Sequence, residues 1–173
     1  NQAANDEVFD SERWFKSGDL GKLDEDGFLY IVGRKKELIV TAGGKNVAPA
    51  VLEDPLRAHP IVGQAVVIGD NLPFVSALIS LDPEMLPIWL KNHGGDNTIT
   101  ISQAAKLPIV IAAIQNAIDE VNSKVSKAES IRKFVIVESE LSEKSGHLTP
   151  SLKIKRNVVV SDFAAEIDEI YNR

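Results

Sequence analysis

The stretch from Ile61 to Leu81 constrains the fold most. Ala65-Val66-Val67-Ile68 is apolar without interruption, and a run that does not alternate with polar residues reads as a strand covered on both faces. Gly69-Asp70-Asn71-Leu72-Pro73 is turn chemistry. Val75 to Leu81 then returns, most simply as the antiparallel neighbour of Ile61 to Ile68, which is expected at the centre of the sheet.

The rest of the chain supplies a third strand and the covering helices. Pro49 suits the first turn of a helix over about 50–58, with Pro55 keeping it short or kinked. Asp82-Pro83 reads as a helix cap and first turn, with a regular helix from Pro87 to His93 that Gly94-Gly95-Asp96-Asn97 ends. Leu107, Ile111, Ile114, Ile118, Val121 and Val125 recur at gaps of four and three, which predicts an amphipathic helix from Pro108 to Lys127. Ile131 to Glu138 is the third strand, and Glu140 to His147 is a polar loop. Val160, Phe163, Ala164, Ile167, Ile170 and Tyr171 form one face of a closing helix over 157–171. Ahead of all this, Gly21-Lys22-Leu23 and Phe28 to Val32 flank Asp24-Glu25-Asp26-Gly27, a hairpin signature. The expected fold is α+β: a small three-stranded sheet flanked by helices, preceded by a β-hairpin and the tail of a preceding domain. The chain opens on a polar stretch at Asn1 without an initiator Met, as expected of a piece of something longer.

Composition narrows the function classes. A formal net charge of -6 argues against broad nucleic-acid binding, which needs an excess of Lys and Arg. With no cysteine there is no disulfide scaffold, thiol nucleophile or thiolate metal site. His59, His93 and His147 are scattered, without metal-ligand spacing, and are expected as surface histidines. The run from Leu107 to Ile114 is far short of the roughly 20 residues a transmembrane helix needs, and no signal peptide is visible.

Local charge is concentrated around Gly33-Arg34-Lys35-Lys36-Glu37-Leu38-Ile39-Val40 and the following Thr41-Ala42-Gly43-Gly44-Lys45-Asn46-Val47-Ala48-Pro49. Arg34, Lys35, Lys36 and Lys45 are opposed within a dozen residues only by Glu37, and the paired glycines let a ligand approach the backbone closely. That combination suits an anion, although this stretch taken alone reads first as a charged hairpin with a Gly-Gly turn. Gly44-Lys45-Asn46 is not a phosphate loop, since it lacks the upstream glycine and the Ser/Thr after lysine. Asp19, just before the first hairpin, can accept hydrogen bonds from two vicinal hydroxyls or cap a loop. In an extended Leu152 to Arg156, Lys153 and Lys155 share one face and Leu152 and Ile154 the other.

Three stretches together carry a family resemblance: Trp14-Phe15-Lys16-Ser17-Gly18-Asp19-Leu20-Gly21, the Gly33 segment, and Leu148-Thr149-Pro150-Ser151-Leu152-Lys153-Ile154-Lys155-Arg156. In order and spacing they resemble the last motifs of the adenylate-forming enzymes, specifically the long-chain fatty acyl-CoA synthetases. The resemblance implies activation of a fatty acid by ATP to acyl-AMP, then transfer to coenzyme A. It implies residues 1–35 as the remnant of a large adenylation domain and 36–173 as a mobile C-terminal domain. Lys153 is then the catalytic lysine, on an exposed or mobile loop, with Lys155 as the alternative and Leu152 where relatives carry glycine. Asp19 binds the ribose hydroxyls and Arg34 contacts the nucleotide. Lys36 is the hinge, and Gly43, Gly44, Lys45 and Asn46 form a hairpin facing the coenzyme A cleft. Implied substrates are fatty acid, ATP and coenzyme A, with Mg2+ bound outside this stretch. The implied protein partner is the enzyme's own N-terminal domain. Implied localisation is cytoplasmic, without a transmembrane segment and with peripheral membrane association open. Two alternatives stay open: an acyl-adenylate ligase loading a carrier protein, and a non-catalytic anion- or nucleotide-binding interaction module. By itself, this stretch is expected to be inactive.

Overall fold

The computed structural model describes residues 2–172, so the outermost residues of the two expected domains, Asn1 and Arg173, lie outside the described residues. The chain begins with α1 (Gln2–Val8) and the antiparallel hairpin of β1 (Asp19–Leu23) and β2 (Leu29–Arg34). The hairpin turn is held by Asp24, whose Oδ1 accepts from the backbone N–H groups of Asp26 (3.0 Å) and Phe28 (2.8 Å). These bonds, chiefly the one from Phe28, hold its carboxyl below the usual pKa. A 3-10 turn over Lys35–Glu37 leads to a short second hairpin, β3 (Ile39–Val40) and β4 (Asn46–Val47). Next come α2 (Pro49–Arg57), β5 (Val62–Ile68), β6 (Val75–Leu81), α3 (Met85–Asn92), α4 (Ile101–Ala104) and α5 (Pro108–Asn122). The chain closes with β7 (Ile131–Val137), α6 (Arg156–Asp162) and α7 (Ala164–Asn172).

The main sheet has the order β5-β6-β7, with β5 antiparallel and β7 parallel to β6. The central strand is therefore β6, not β5 as its continuous apolar run suggested. A parallel neighbour needs a long crossover, and the segment from α3 to α5 provides it, setting β7 on the free side of β6. All seven residues of β6 are buried. β5 is still covered on both faces. Val62, Ala65 and Val67 join one apolar cluster with Leu52 and Leu56 of α2, Leu86 and Leu90 of α3, and Ile114 and Ile118 of α5. Val66 and Ile68 join a second cluster with Val159 of α6 and Ile167 and Ile170 of α7. A bulge places Ile131 opposite Val75 and Lys133 opposite Ser76, so Arg132 is the extra residue in β7. This shifts the strand's phase, and Phe134 and Ile136 pack with Ile131 while Val135 and Val137 face the other cluster.

Other expectations are adjusted by packing. α5 ends at Asn122, and its buried face is Val110, Ile114, Ala117, Ile118 and Val121, while Ile111 is exposed. α3 starts before Pro87, which is harmless because a first-turn N–H has no intrahelical acceptor. Asp82, expected as the cap, instead holds the turn before the helix, its Oδ1 accepting from the N–H groups of Glu84 and Met85, and Glu84 is the N-cap residue. The closing helix breaks at Phe163 (φ -106°, ψ 28°). The Thr100/Gln103 capping box that starts α4 and the helix α1 were not foreseen.

Candidate active site

Between the first hairpin and the loop ahead of α6 lies an open cleft of about 1640 Å3, lined by Asp19, Arg34 and Lys36 from one side and by Leu152, Lys153, Lys155 and Arg156 from the other. Glu53, Asp54 and Arg57 of α2 also line it. The fold thus gathers around one space residues that lie more than a hundred positions apart in the chain.

Asp19 and Arg34 are direct partners in the β1–β2 register. Arg34 Nε lies 3.4 Å from Asp19 Oδ1, and both side chains reach solvent. An exposed pair at that distance contributes little to stability, which leaves both groups free to exchange each other for a ligand. Lys36 is exposed in the 3-10 turn, the connection between the first hairpin and the rest of the fold. Gly43, Gly44, Lys45 and Asn46 do not line this cleft. Their tight turn has Gly44 at φ +76°, a left-handed position that favours glycine, with Gly44 N–H donating to Thr41 O (2.8 Å). Lys45 Nζ is 3.3 Å from a Glu129 carboxylate oxygen. Bonds from Ser126 first, and from Lys45, hold the Glu129 carboxyl below its usual pKa.

Lys153 is exposed on a small hairpin loop. Leu148 and Ile154 form an antiparallel bridge, Thr149 N–H donates to Lys153 O (2.8 Å), and Lys153 N–H donates to Thr149 Oγ1 (3.0 Å). Leu152 turns the loop at φ +59° and is 68% exposed. Leu152 is therefore left-handed, a conformation that favours glycine, and the extended run expected from Leu152 begins only after it. Ile154 packs against the second cluster, so Lys153 and Lys155 do alternate with a core-facing residue.

Three features of the site region were not read from the sequence. His147 is buried at 6% exposure instead of lying on the surface. Its Nδ1 is 2.7 Å from Ser145 Oγ and its Nε2 3.1 Å from Asp162 Oδ2, and its carbonyl accepts from Lys155 N–H (2.8 Å). The Ser-His-Asp connectivity is that of a loop brace: Ser145 Oγ also bonds Ser142 O, and none of the three residues lines the cleft. The second feature is Glu53, buried on α2, and the third is its ion pair with Arg156. A signal for Glu53 existed, since it shares the face of Pro49 and Leu56 at helical spacing. Among the described residues no three His, Asp or Glu side chains group to hold a metal ion, and no helix is long and apolar enough to cross a membrane.

Residues 36–173 match the AMP-binding enzyme C-terminal domain, and the chain belongs to that family, within the adenylate-forming superfamily. Over its whole length it is 53% identical to the long-chain-fatty-acid–CoA ligase FadD15 of Mycobacterium tuberculosis, of which it covers 29%. A long-chain-fatty-acid–CoA ligase of Gallus gallus is 40% identical over 95% of this chain and 24% of the relative. The chain thus spans less than a third of the length of these relatives. Among solved structures, the adenylation domain of a carboxylate reductase from Mycobacterium chelonae has the same fold (TM-score 0.72, 21% identity, 99% of this chain and 25% of that one). The o-succinylbenzoate CoA synthetase of Bacillus subtilis, solved with its acyl-adenylate intermediate, matches with a TM-score of 0.59 at 27% identity over 91% of this chain and 26% of that one.

Proposed function

We propose that this chain is the C-terminal part of an ATP-dependent long-chain fatty acid:CoA ligase, with residues 1–35 ending its large adenylation domain and 36–173 forming its mobile C-terminal domain. The observation that carries the reading is the cleft, where Asp19, Arg34, Lys36 and Lys153 from three separate motifs meet. The identity to long-chain-fatty-acid–CoA ligases supports the substrate class.

In the first half-reaction a fatty carboxylate oxygen attacks the α-phosphorus of ATP, the bond to the bridging oxygen breaks, and pyrophosphate leaves. In the second, the coenzyme A sulfur attacks the acyl carbon, its proton is lost, and AMP departs with the former carboxylate oxygen. Both reactants of the first step are anions, so positive charge aimed at the converging oxygens lowers the barrier. Lys153 has that role, exposed on the returning stem of a small hairpin loop that lines the cleft. Asp19 accepts from the ribose hydroxyls, and the Arg34 fork binds nucleotide oxygens. The 43–46 hairpin faces the coenzyme A side after the domain swivels at Lys36. When bound with ATP, Mg2+ neutralises phosphate charge. The described residues offer no matching acid cluster, so its ligands are assigned to the preceding domain and no step here runs through it. Long-chain acids partition to membranes, and the same reading puts the enzyme in the cytoplasm with access to a membrane surface.

The test is to assay the half-reactions separately in the full-length enzyme. Lys153→Ala should slow adenylate formation by about a hundredfold or more and leave thioester formation from supplied acyl-AMP nearly intact. Lys36→Pro, which fixes φ at the hinge, should do the reverse. Equal losses in both half-reactions for both variants would overturn the reading, as would acyl-CoA synthesis by residues 1–173 alone.

A further inference from the structure

We propose that Glu53 and Arg156 are positioning residues for Lys153, a closed clamp that fixes the root of the lysine loop against the main sheet. The proposal rests on the assignment of Lys153 made above. β5 is an edge strand, and the backbone of Val67 turns both its polar groups to side chains. Its N–H donates to Glu53 Oε1 (2.8 Å), and its carbonyl accepts from Arg156 Nη1 (2.8 Å). Arg156 Nη2 in turn donates to the same Glu53 oxygen (2.7 Å). Two side chains thus imitate a neighbouring strand and seal the sheet edge at one residue.

The ring is stiff for physical reasons. A carboxylate this far removed from water is costly unless its hydrogen bonds are kept, and the Glu53 side chain is only 6% exposed. The Arg156 guanidinium is planar and engaged through both terminal nitrogens, so its direction is fixed as well as its distance. Arg156 is the first residue of α6 and stands three positions after Lys153. The opposite stem of the loop is tied through His147, whose carbonyl holds Lys155 N–H and whose ring is braced by Asp162 of α6. Both stems are anchored, and the Lys153 backbone is tied to Thr149 across the hairpin, so the clamp sets where the ammonium of Lys153 points without touching it. A misplacement of about 1 Å at a reacting centre can cost about a hundredfold in rate. Core cohesion alone would not call for these two residues, since apolar side chains of similar volume replace such pairs at little or no loss of stability.

The experiment is a double-mutant cycle in the full-length enzyme, read on both half-reactions and on thermal unfolding. Arg156→Lys keeps the charge but loses the fork. It should slow adenylate formation about tenfold or more and change thioester formation from acyl-AMP less than about twofold. In the Lys153→Ala background the same substitution should have no further effect, because the group it positions is gone. Glu53→Ala should show the same selective loss. Glu53→Gln, which retains the oxygen that accepts from Val67 and Arg156, should recover most of it, and this pair decides the matter if Arg156→Lys does not fold. The proposal is overturned if Arg156→Lys costs the same factor with and without Lys153, or if both half-reactions fall together with the melting temperature. If Lys153→Ala is crippling and the clamp variants are silent, only the clamp fails. If Lys153→Ala itself spares adenylate formation, the lysine assignment fails and the clamp with it.

Discussion

β2 and β6 are both apolar strands, and their surroundings are opposite. Leu29, Tyr30 and Ile31 of β2 are 65%, 54% and 62% exposed, and Trp14, Phe15 and Phe28 are exposed as well. Every residue of β6 is buried between two helical layers. Strand sequence therefore forms a strand in both places, but only β6 finds its covering layers within the chain. Exposed apolar side chains in this number suit a surface that another part of the protein covers. On the proposed reading its cover is the rest of the adenylation domain, whose last residues are 1–35, in line with the share of the relatives that this chain spans.

The largest effect should come from breaking the contrast in the core. Leu78→Ala, at a fully buried position of β6, should destabilise the chain by about 2–5 kcal/mol in urea unfolding. Leu29→Ala should stay within about 0.5 kcal/mol in the 173-residue chain. In the full-length protein of the proposed reading the β2 substitution should cost measurably more. An unchanged small cost there would mean that the hairpin is uncovered in the whole enzyme too.

A second, intermediate effect is pH-dependent and belongs to the body of the fold alone. Burial pulls the pKa of His59, between α2 and β5, below its ordinary 6.5. The unfolded chain then takes up this proton first as pH falls through 6.5, so stability declines from there and levels off once pH is below the folded-state value. His59→Gln should flatten that part of a stability profile measured at several pH values. An unaltered slope would remove His59 as its cause.

The smallest effect is at the lysine loop. A non-glycine residue at left-handed φ costs about 1–2 kcal/mol, and glycine loses about 0.5–1 kcal/mol in chain entropy. Leu152→Gly should therefore stabilise the chain by about 0.5 kcal/mol, on the scale of a modest shift in the urea midpoint. A clear loss of stability would show that the exposed leucine makes contacts worth more than its backbone strain.

Much was legible because it depends on local pattern. The turn at 69–73, the Asp82 turn, the period of α5 and the strands 62–68, 75–81 and 131–137 all follow from spacing and turn chemistry. The candidate residues Asp19, Arg34 and Lys153 are singled out by motif order. Their convergence on one cleft is not, since it depends on how β2 and the 148–154 loop fold back over α2. The same holds for His147. Nothing in its neighbours in sequence announces a buried ring, and its partner Asp162 is fifteen positions away on another element.

The sequence by itself determined the α+β class, the kinds and approximate limits of most elements, and the charged segments that line the cleft. Side-chain periodicity and turn preference act over a few residues, and those are written in the chain. Only the tertiary structure decided that β6 is central, that Arg132 bulges out of β7, and that Glu53 and Arg156 close on Val67. Each of these is a matter of which distant segment satisfies a backbone group or fills a face. Val67 lies opposite Ala77 of β6, and its outward N–H and C=O meet no second strand but two side chains, one fourteen residues before it and one eighty-nine after.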